Sequence, residues 1–70
     1  MLPLNLAVQD EELVIKKIGG GGETRRHLEN LGLVVGSPVT LVAVRSGNVI
    51  VKVKESRLAL SSELARTIMV

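Results

Sequence analysis

The stretch that decides the predicted fold is residues 18–38, which read IGGGGETRRHLENLGLVVGSP. Four consecutive glycines at positions 19–22 end an apolar run and precede a short helical segment. Gly32 stops that segment, and a Gly36-Ser37-Pro38 turn follows it. Glycine and proline interrupt helices and strands and mark turns. The stretch therefore predicts a strand, a flexible crossover, one short helix and the entry to a hairpin.

Gly32 is the clearest local signal, because glycine takes positive φ without a Cβ clash. If it is the left-handed residue after the helix, Leu28 and Leu33 occupy the two positions that a Schellman ending brings into contact. Leu31 is expected to join this apolar cluster. A helix of about ten residues is marginal alone in water, so it must pack on a sheet. The outward residues are expected to be Arg25, Arg26, Glu29 and Asn30.

The composition predicts one small domain with an aliphatic core. The chain has 70 residues, no cysteine and no aromatic residue, and 46% of it is hydrophobic. A domain of this size has a thin margin of stability. Without cysteine there is no disulfide and no thiolate metal site. We expect a single domain over residues 1–70, with residues 1–12 as an N-terminal arm and residues 13–70 as a barrel.

The charge pattern favours a solvated surface over a nucleic-acid footprint. Nine Lys and Arg against seven Asp and Glu leave a net charge of +2. The basic residues are scattered in pairs, and a nucleic-acid site would want them clustered on one face. No apolar run approaches the roughly 20 residues of a membrane span. The first residues also lack the features of a secretory signal, so we expect a cytoplasmic protein.

Two strands on either side of Ser46-Gly47 are predicted to form a tight hairpin, over residues 39–45 and 48–54. In the second strand Val49, Val51 and Val53 share the inward face, and the lysines at positions 52 and 54 mark the wet face. In the first strand Val39, Leu41 and Ala43 are interpreted as inward, opposite Thr40, Val42 and Val44. Two interpretations stay open for Val42, Val44 and Ile50: an exposed apolar patch, or burial under the arm.

The first strand, residues 13–18, has imperfect alternation. Ile15 and Ile18 are three positions apart, so both face the core only if the strand bulges or twists. Before it, Leu2, Leu4 and Leu6 alternate around Pro3, which predicts a short strand or an extended arm on the core. Thr24 or Gly22 is expected to cap the helix after the glycines, with Glu23 favourable in its first turn.

The last third of the chain predicts a closing strand. Residues 57–60 form a short strand after a tight turn at Glu55-Ser56, and Ser61 caps one helical turn over residues 62–66. Residues 67–70 then need a partner, and the first strand, near residues 13–17, is expected to supply it and remove an edge. The predicted fold class is mainly β: a small, bent barrel of about five strands, with one short helix inserted after strand 1 and a helical turn before the last strand.

Residues 14–42, VIKKIGGGGETRRHLENLGLVVGSPVTLV, resemble the FeoA family of ferrous iron transport protein A domains. The order of features is similar: an isoleucine-rich strand, a glycine-rich loop, Arg-x-x-Leu-x-x-hydrophobic-Gly, then a turn and a strand. The matching positions are Arg25-Arg26, Leu28, Leu31-Gly32-Leu33 and Gly36. The end of the chain resembles the family's closing Ile-x-Val, at Ile68 and Val70. The resemblance covers about residues 13–70 and implies an SH3-like barrel. This sequence differs from the family pattern at two places. Residues 9–12 replace the family's glycine turn, and the hairpin at Ser46-Gly47 is shorter than in many family members.

The resemblance implies a small cytoplasmic accessory protein of ferrous iron uptake, whose partner is FeoB, the membrane transporter with a cytosolic GTPase domain. It would act as a protein-interaction module and not as an enzyme. The candidate partner-binding residues are Arg25, Arg26 and Glu29 on the helix and Ser46 and Gly47 at the hairpin tip. Two other functions stay open: a regulatory domain acting with an iron-dependent repressor, and a nucleic-acid-binding small barrel.

The residues that could carry other chemistry are few. A phosphate-binding loop needs a Lys after its glycines, and Glu23 and Thr24 stand there instead. His27 and Glu23 are one helical turn apart and are weak candidates for metal, because a tight site draws on three or four ligands. Glu55 and Glu63 could join them only if the fold brings them close. We therefore expect no tightly bound cofactor, and leave open a weak contact with Fe(II).

Overall fold

The computed structural model describes residues 1–70. It contains six short strands, two α-helices and one 3₁₀ turn. In chain order these are the 3₁₀ turn Leu4–Leu6, β1 Glu12–Val14, β2 Lys17–Ile18, α1 Gly22–Asn30, β3 Pro38–Arg45, β4 Asn48–Val53, β5 Ser56–Ser61, α2 Ser62–Ala65 and β6 Ile68–Met69. The mainly-β prediction is confirmed. Neither helix is both long and apolar enough to cross a bilayer.

The strands form two antiparallel sheets and not one continuous barrel wall. One has the order β1-β3-β4-β5, and the other pairs β2 with β6. The predicted closing pair exists: Lys17 lies opposite Met69 and Ile18 opposite Ile68. It forms slightly later in the first strand than residues 13–17. The predicted strand pairing is therefore present, but it does not join the two sheets into one.

The predicted first strand is broken in two, which is why the structure has six strands instead of about five. Ile15 N donates a hydrogen bond to Ser37 O (3.0 Å), and Lys16 N donates to Met69 O (2.8 Å). The chain thus changes its partner between these two residues, from the segment before β3 to β6. The break also explains the imperfect alternation, because Ile15 and Ile18 are both buried. The predicted distortion is confirmed.

The N-terminal arm packs on the core in a different conformation from the one predicted. A 3₁₀ turn replaces the expected extended alternation of leucines, and Leu4 is fully buried while Leu6 is 66% exposed. Leu2 and Val70 exchange two backbone hydrogen bonds of 2.9 and 2.8 Å. The arm therefore extends the small β2-β6 sheet on the free side of β6 before it turns.

A bulge in the β3–β4 hairpin reverses part of the predicted facing pattern. The ladder pairs Leu41 with Val51 but Ala43 with Ile50, so its register shifts between Leu41 and Ala43. Val39 and Leu41 are buried as predicted, but the prediction for Ala43 is wrong because the extra residue turns it to the outer face. Val44 then lies opposite buried Val49, although 46% of it remains exposed at the hairpin end.

Two further local predictions hold to within one residue. Ser61 Oγ accepts a hydrogen bond from Leu64 N at 3.2 Å, which confirms it as the cap of α2. The turn after β4 lies at Lys54-Glu55, one residue earlier than predicted. The core consists of thirteen buried aliphatic residues: Leu4, Ile15, Ile18, Leu28, Leu33, Val39, Leu41, Val49, Val51, Val53, Leu60, Ala65 and Ile68.

Candidate partner-binding surface

The glycine run positions the start of α1. Gly19 N donates a hydrogen bond of 2.7 Å to Thr67 O, which ties the run to the segment before β6. Gly20 has φ +83°, and a Cβ there would lie 3.3 Å from Thr24. Gly21 is the N-cap and offers no side-chain hydrogen bond. The predicted caps, Thr24 and Gly22, are wrong because the helix begins at Gly22, and Thr24 instead packs back on Gly20.

The end of α1 is held by the predicted Schellman ending. Gly32 has φ +94°. Leu33 N donates to Leu28 O at 2.9 Å, and Gly32 N donates to Glu29 O at 2.9 Å. These are the two hydrogen bonds of that motif. Leu28 and Leu33 are both fully buried, so the ending anchors one face of the helix in the core.

Anchoring that face turns the charged side chains outward. Arg25, Arg26, Glu29 and Asn30 are all exposed, as predicted. Arg25 and Glu29 are four residues apart and lie on one helix face. Together with Ile18, Val34 and Val35 they line an open groove of about 370 Å³. We call this the helix groove: two opposite charges beside an apolar wall.

Val34 and Val35 are the part of this surface that sequence reasoning missed. Val35 is 51% exposed, and Val34 is half-buried. The signal was available in the run Leu33-Val34-Val35, because three consecutive apolar residues cannot all face one core. What the sequence did not show is that the segment after Gly32 passes beside Arg25 and Glu29.

The hairpin tip is exposed but belongs to a different part of the molecule. Ser46 and Gly47 form the two-residue turn between β3 and β4, and Gly47 has φ +80°. Gly47 O accepts a hydrogen bond of 3.2 Å from Ser62 N at the start of α2. The tip therefore packs with α2, and neither of its residues lines the helix groove. The structure does not bring the two groups of predicted partner-binding residues together.

The weak metal candidates lie on the outer surface of α1. Glu23 and His27 are both exposed, one turn apart, in the first and last parts of the helix. Glu55 and Glu63 are exposed on the β4–β5 turn and on α2. No group of three or more histidine, aspartate or glutamate side chains lies close enough to hold a metal ion.

The predicted apolar patch is divided. Val42 and Ile50 are half-buried, and Val44 is exposed. The arm does reach this sheet, since Asp10 N donates to Leu41 O at 2.8 Å. Because the bulge places Ile50 and Val44 in different cross-strand pairs, beside Ala43 and Val49, they do not form one continuous surface.

Comparison with known proteins places this fold and sequence. The FeoA domain model matches residues 2–70. The "Putative Fe(2+) transport protein A" of Methanocaldococcus jannaschii is 36% identical over 70 residues, which is 100% of this chain and 85% of that protein. The crystal structure of an iron uptake regulatory protein, FeoA, has a TM-score of 0.86 and 25% identity, covering 96% of this chain and 89% of that one.

A metal-binding protein shares the same fold at lower identity. The crystal structure of ScaR with bound Zn²⁺ has a TM-score of 0.87 and 20% identity, covering 97% of this chain but 35% of that one. At that identity the likeness concerns the fold alone. This chain therefore matches one part of a longer protein in that comparison, and nearly the whole of the FeoA structure.

Proposed function

This chain belongs to the FeoA domain family, and on that premise we propose that it is an accessory protein of ferrous iron uptake. Its partner is the cytosolic GTPase domain of a FeoB-type membrane transporter, and it works in the cytoplasm. It acts by binding and not by catalysis. Ferrous iron is the cargo of the system, and any contact between iron and Glu23 or His27 is weak.

The observation that supports partner binding is the helix groove. Its apolar wall, Val34 and Val35, is flanked by the charged side chains of Arg25 and Glu29. Protein interfaces have this composition, an apolar centre with a polar rim. The groove is also presented rigidly, because the Schellman ending and buried Leu28 fix the helix against the core. The proposal therefore places the main contact at the groove, with Arg26 beside it and the tip at Ser46-Gly47 as a separate contact.

The proposal is tested by titrating the ¹⁵N-labelled chain with the purified GTPase domain of a FeoB-type transporter. The expected result is a saturable set of amide shifts at Arg25, Arg26 and Glu29 and along the groove wall. Val35→Asp is expected to weaken binding about tenfold, because it places a charge in an apolar contact. Val35 is half exposed, so the fold should be retained.

A matched control uses an exposed valine elsewhere. Val8→Asp makes the same chemical change at an exposed valine of the N-terminal arm, with 62% exposure against 51% for Val35, and it belongs to neither the groove nor the hairpin tip. It is expected to leave binding unchanged. Absence of any shift at millimolar GTPase domain would contradict the proposal. Saturable binding to an iron-dependent repressor, with none to the GTPase domain, would favour the regulatory alternative instead.

A further inference from the structure

The outer face of the four-stranded sheet carries a row of charged residues that the helix groove does not involve. The ladder places Glu12 opposite Thr40, Thr40 opposite Lys52, and Lys52 opposite Arg57. All three charged side chains of this row are exposed. Lys54 follows Lys52 on the same surface, since both line one shallow cavity. We call Lys52, Lys54 and Arg57 the basic sheet face.

Two features of the basic sheet face are unfavourable for the isolated chain. Lys52 and Arg57 are directly opposite each other, and like charges in that position destabilise a sheet. Lys54 has φ +57°, a left-handed conformation that suits glycine far better than lysine. Lys54 is the first residue of the two-residue β4–β5 turn, where hairpin geometry calls for positive φ, so the turn places a cation at a position that glycine usually fills. Both features involve cations, and both lie within one hairpin.

The shape of the surface selects the kind of ligand. The cavity beside Lys52 and Lys54 measures about 120 Å³, and Pro38, Val39, Thr40 and Glu12 complete its lining. Small-molecule pockets are larger and more enclosed, about 300–1,000 Å³. The cavity lies over β1, β3 and β4, and Arg57 lies outside it on β5, opposite Lys52. Only an extended chain that crosses adjacent strands would therefore reach all three cations. Such a chain would make several weak contacts along the sheet.

Charge selects the chemistry of that chain. The three cations lie together over β4 and β5, whereas Glu12 is two strand spacings from Lys52, about 10 Å away. Glu55, in the turn after Lys54, is the one carboxylate within β4, β5 and the turn between them. We propose that the basic sheet face binds an extended acidic segment of a partner protein, with its carboxylates over Lys52 and Arg57.

An acidic polypeptide fits this face better than a nucleic acid does. The chain has no aromatic side chain on which a base could stack, and its net charge is only +2. The basic sheet face shares no residue with the helix groove, so this inference does not require the transporter to be the partner.

The test uses the full chain and an oligoglutamate peptide at low ionic strength. The expected result is saturable amide shifts on β4 and β5. Lys52→Gln and Arg57→Gln are each expected to weaken binding up to about fivefold, the upper end for one exposed ion pair. Glu12→Gln is expected to tighten it. Arg66→Gln removes the same charge from the exposed C-cap of α2, outside both candidate surfaces, and is the matched control, with less than about a twofold effect.

Stability measurements separate loss of binding from loss of fold. Lys52→Gln removes a like-charge pair, and Lys54→Gly relieves a left-handed lysine, so both variants should melt at or above the temperature of the parent chain while binding more weakly. An equal loss of binding in Arg66→Gln would overturn the proposal, since it would show a nonspecific charge effect. So would tighter binding of oligothymidylate or phosphatidylserine vesicles at the same residues.

Discussion

Gly20 and Gly22 stand two positions apart in the same glycine run but meet different constraints. Gly20 has φ +83° and a Cβ there would crowd Thr24, whereas a Cβ at Gly22 would meet nothing within 4 Å. We expect Gly20→Ala to lower the free energy of unfolding by about 1 kcal/mol or more. Gly22→Ala, at the first residue of α1, should raise it by about 0.5 kcal/mol, because alanine favours the helix.

Urea unfolding followed by far-ultraviolet circular dichroism measures both substitutions, since the chain has no tryptophan or tyrosine to report by fluorescence. The two effects are expected to have opposite signs. If Gly20→Ala were as well tolerated as Gly22→Ala, the left-handed conformation at position 20 would not be a requirement of the crossover, and another residue could make the same turn.

The short helix α2 depends on its cap more than on its length. It has four residues, and Ser61 Oγ accepts the hydrogen bond from Leu64 N. A helix this short has no stability of its own, so the cap and the packing of Ala65 must hold it. At the first residue of α2, Ser62 N donates a hydrogen bond to Gly47 O at the hairpin tip. It therefore connects the hairpin tip to β6, and weakening it should loosen both.

Ser61→Ala is expected to lower the free energy of unfolding by about 1 kcal/mol, because it leaves Leu64 N without its side-chain acceptor. Ser62→Ala is the matched control: it changes the adjacent serine, which keeps its backbone bond to Gly47 O, and should have an effect within about 0.5 kcal/mol. Urea unfolding of the two variants checks this. Equal losses would mean that the Ser61 hydroxyl contributes nothing specific.

The helix groove illustrates how two elements share one surface. Gly32 ends α1 and turns the chain so that Val34 and Val35 pass beside Arg25 and Glu29. The residues of α1 and their outward direction follow from the position of buried Leu28. The apolar wall depends on where the next segment goes, and Ile15 determines that, since its carbonyl accepts a hydrogen bond of 2.8 Å from Gly36 N.

Across the whole molecule, the N-terminal arm is part of the core and not an appendage. Leu4 has no exposed surface, and the arm contacts both α2 and β3. We expect Leu4→Ala to lower the free energy of unfolding by about 2–4 kcal/mol, the usual cost of emptying a buried leucine site. For a domain this small, such a loss is a large share of the total stability.

Leu6→Ala is the matched control, because Leu6 is two residues away in the same 3₁₀ turn but 66% exposed. It should change the free energy of unfolding by no more than about 0.5 kcal/mol. Thermal melts of both variants, followed by circular dichroism, measure the difference. Similar melting temperatures for Leu4→Ala and the parent chain would show that the arm is not an integral part of the core.

Much of this architecture was predictable from the sequence, and so was membership of the FeoA domain family. The structure confirms three local predictions: the helix ending at Gly32, the cap at Ser61 and the turn at Gly47. Each depends on residues within about five positions of one another. The inward valines of β4 were equally predictable from strict alternation with Lys52 and Lys54. The mainly-β, SH3-like prediction also holds, in agreement with the FeoA structure that this chain resembles.

Features that depend on distant hydrogen-bond partners were decided only in three dimensions. The first strand breaks after Ile15 because the chain changes its hydrogen-bond partner from Ser37 to Met69, and the bulge after Leu41 lies where Leu41 O accepts from Asp10 N. The 3₁₀ turn at Leu4–Leu6 has local hydrogen bonds, but the burial of Leu4 places it against elements far away in sequence. The candidate surfaces combine both kinds of feature, since the charge and exposure of the side chains on α1 followed from local periodicity. Their union with Val34 and Val35, and the separation of Ser46 and Gly47 from them, required the tertiary fold, because packing decides which surfaces become neighbours.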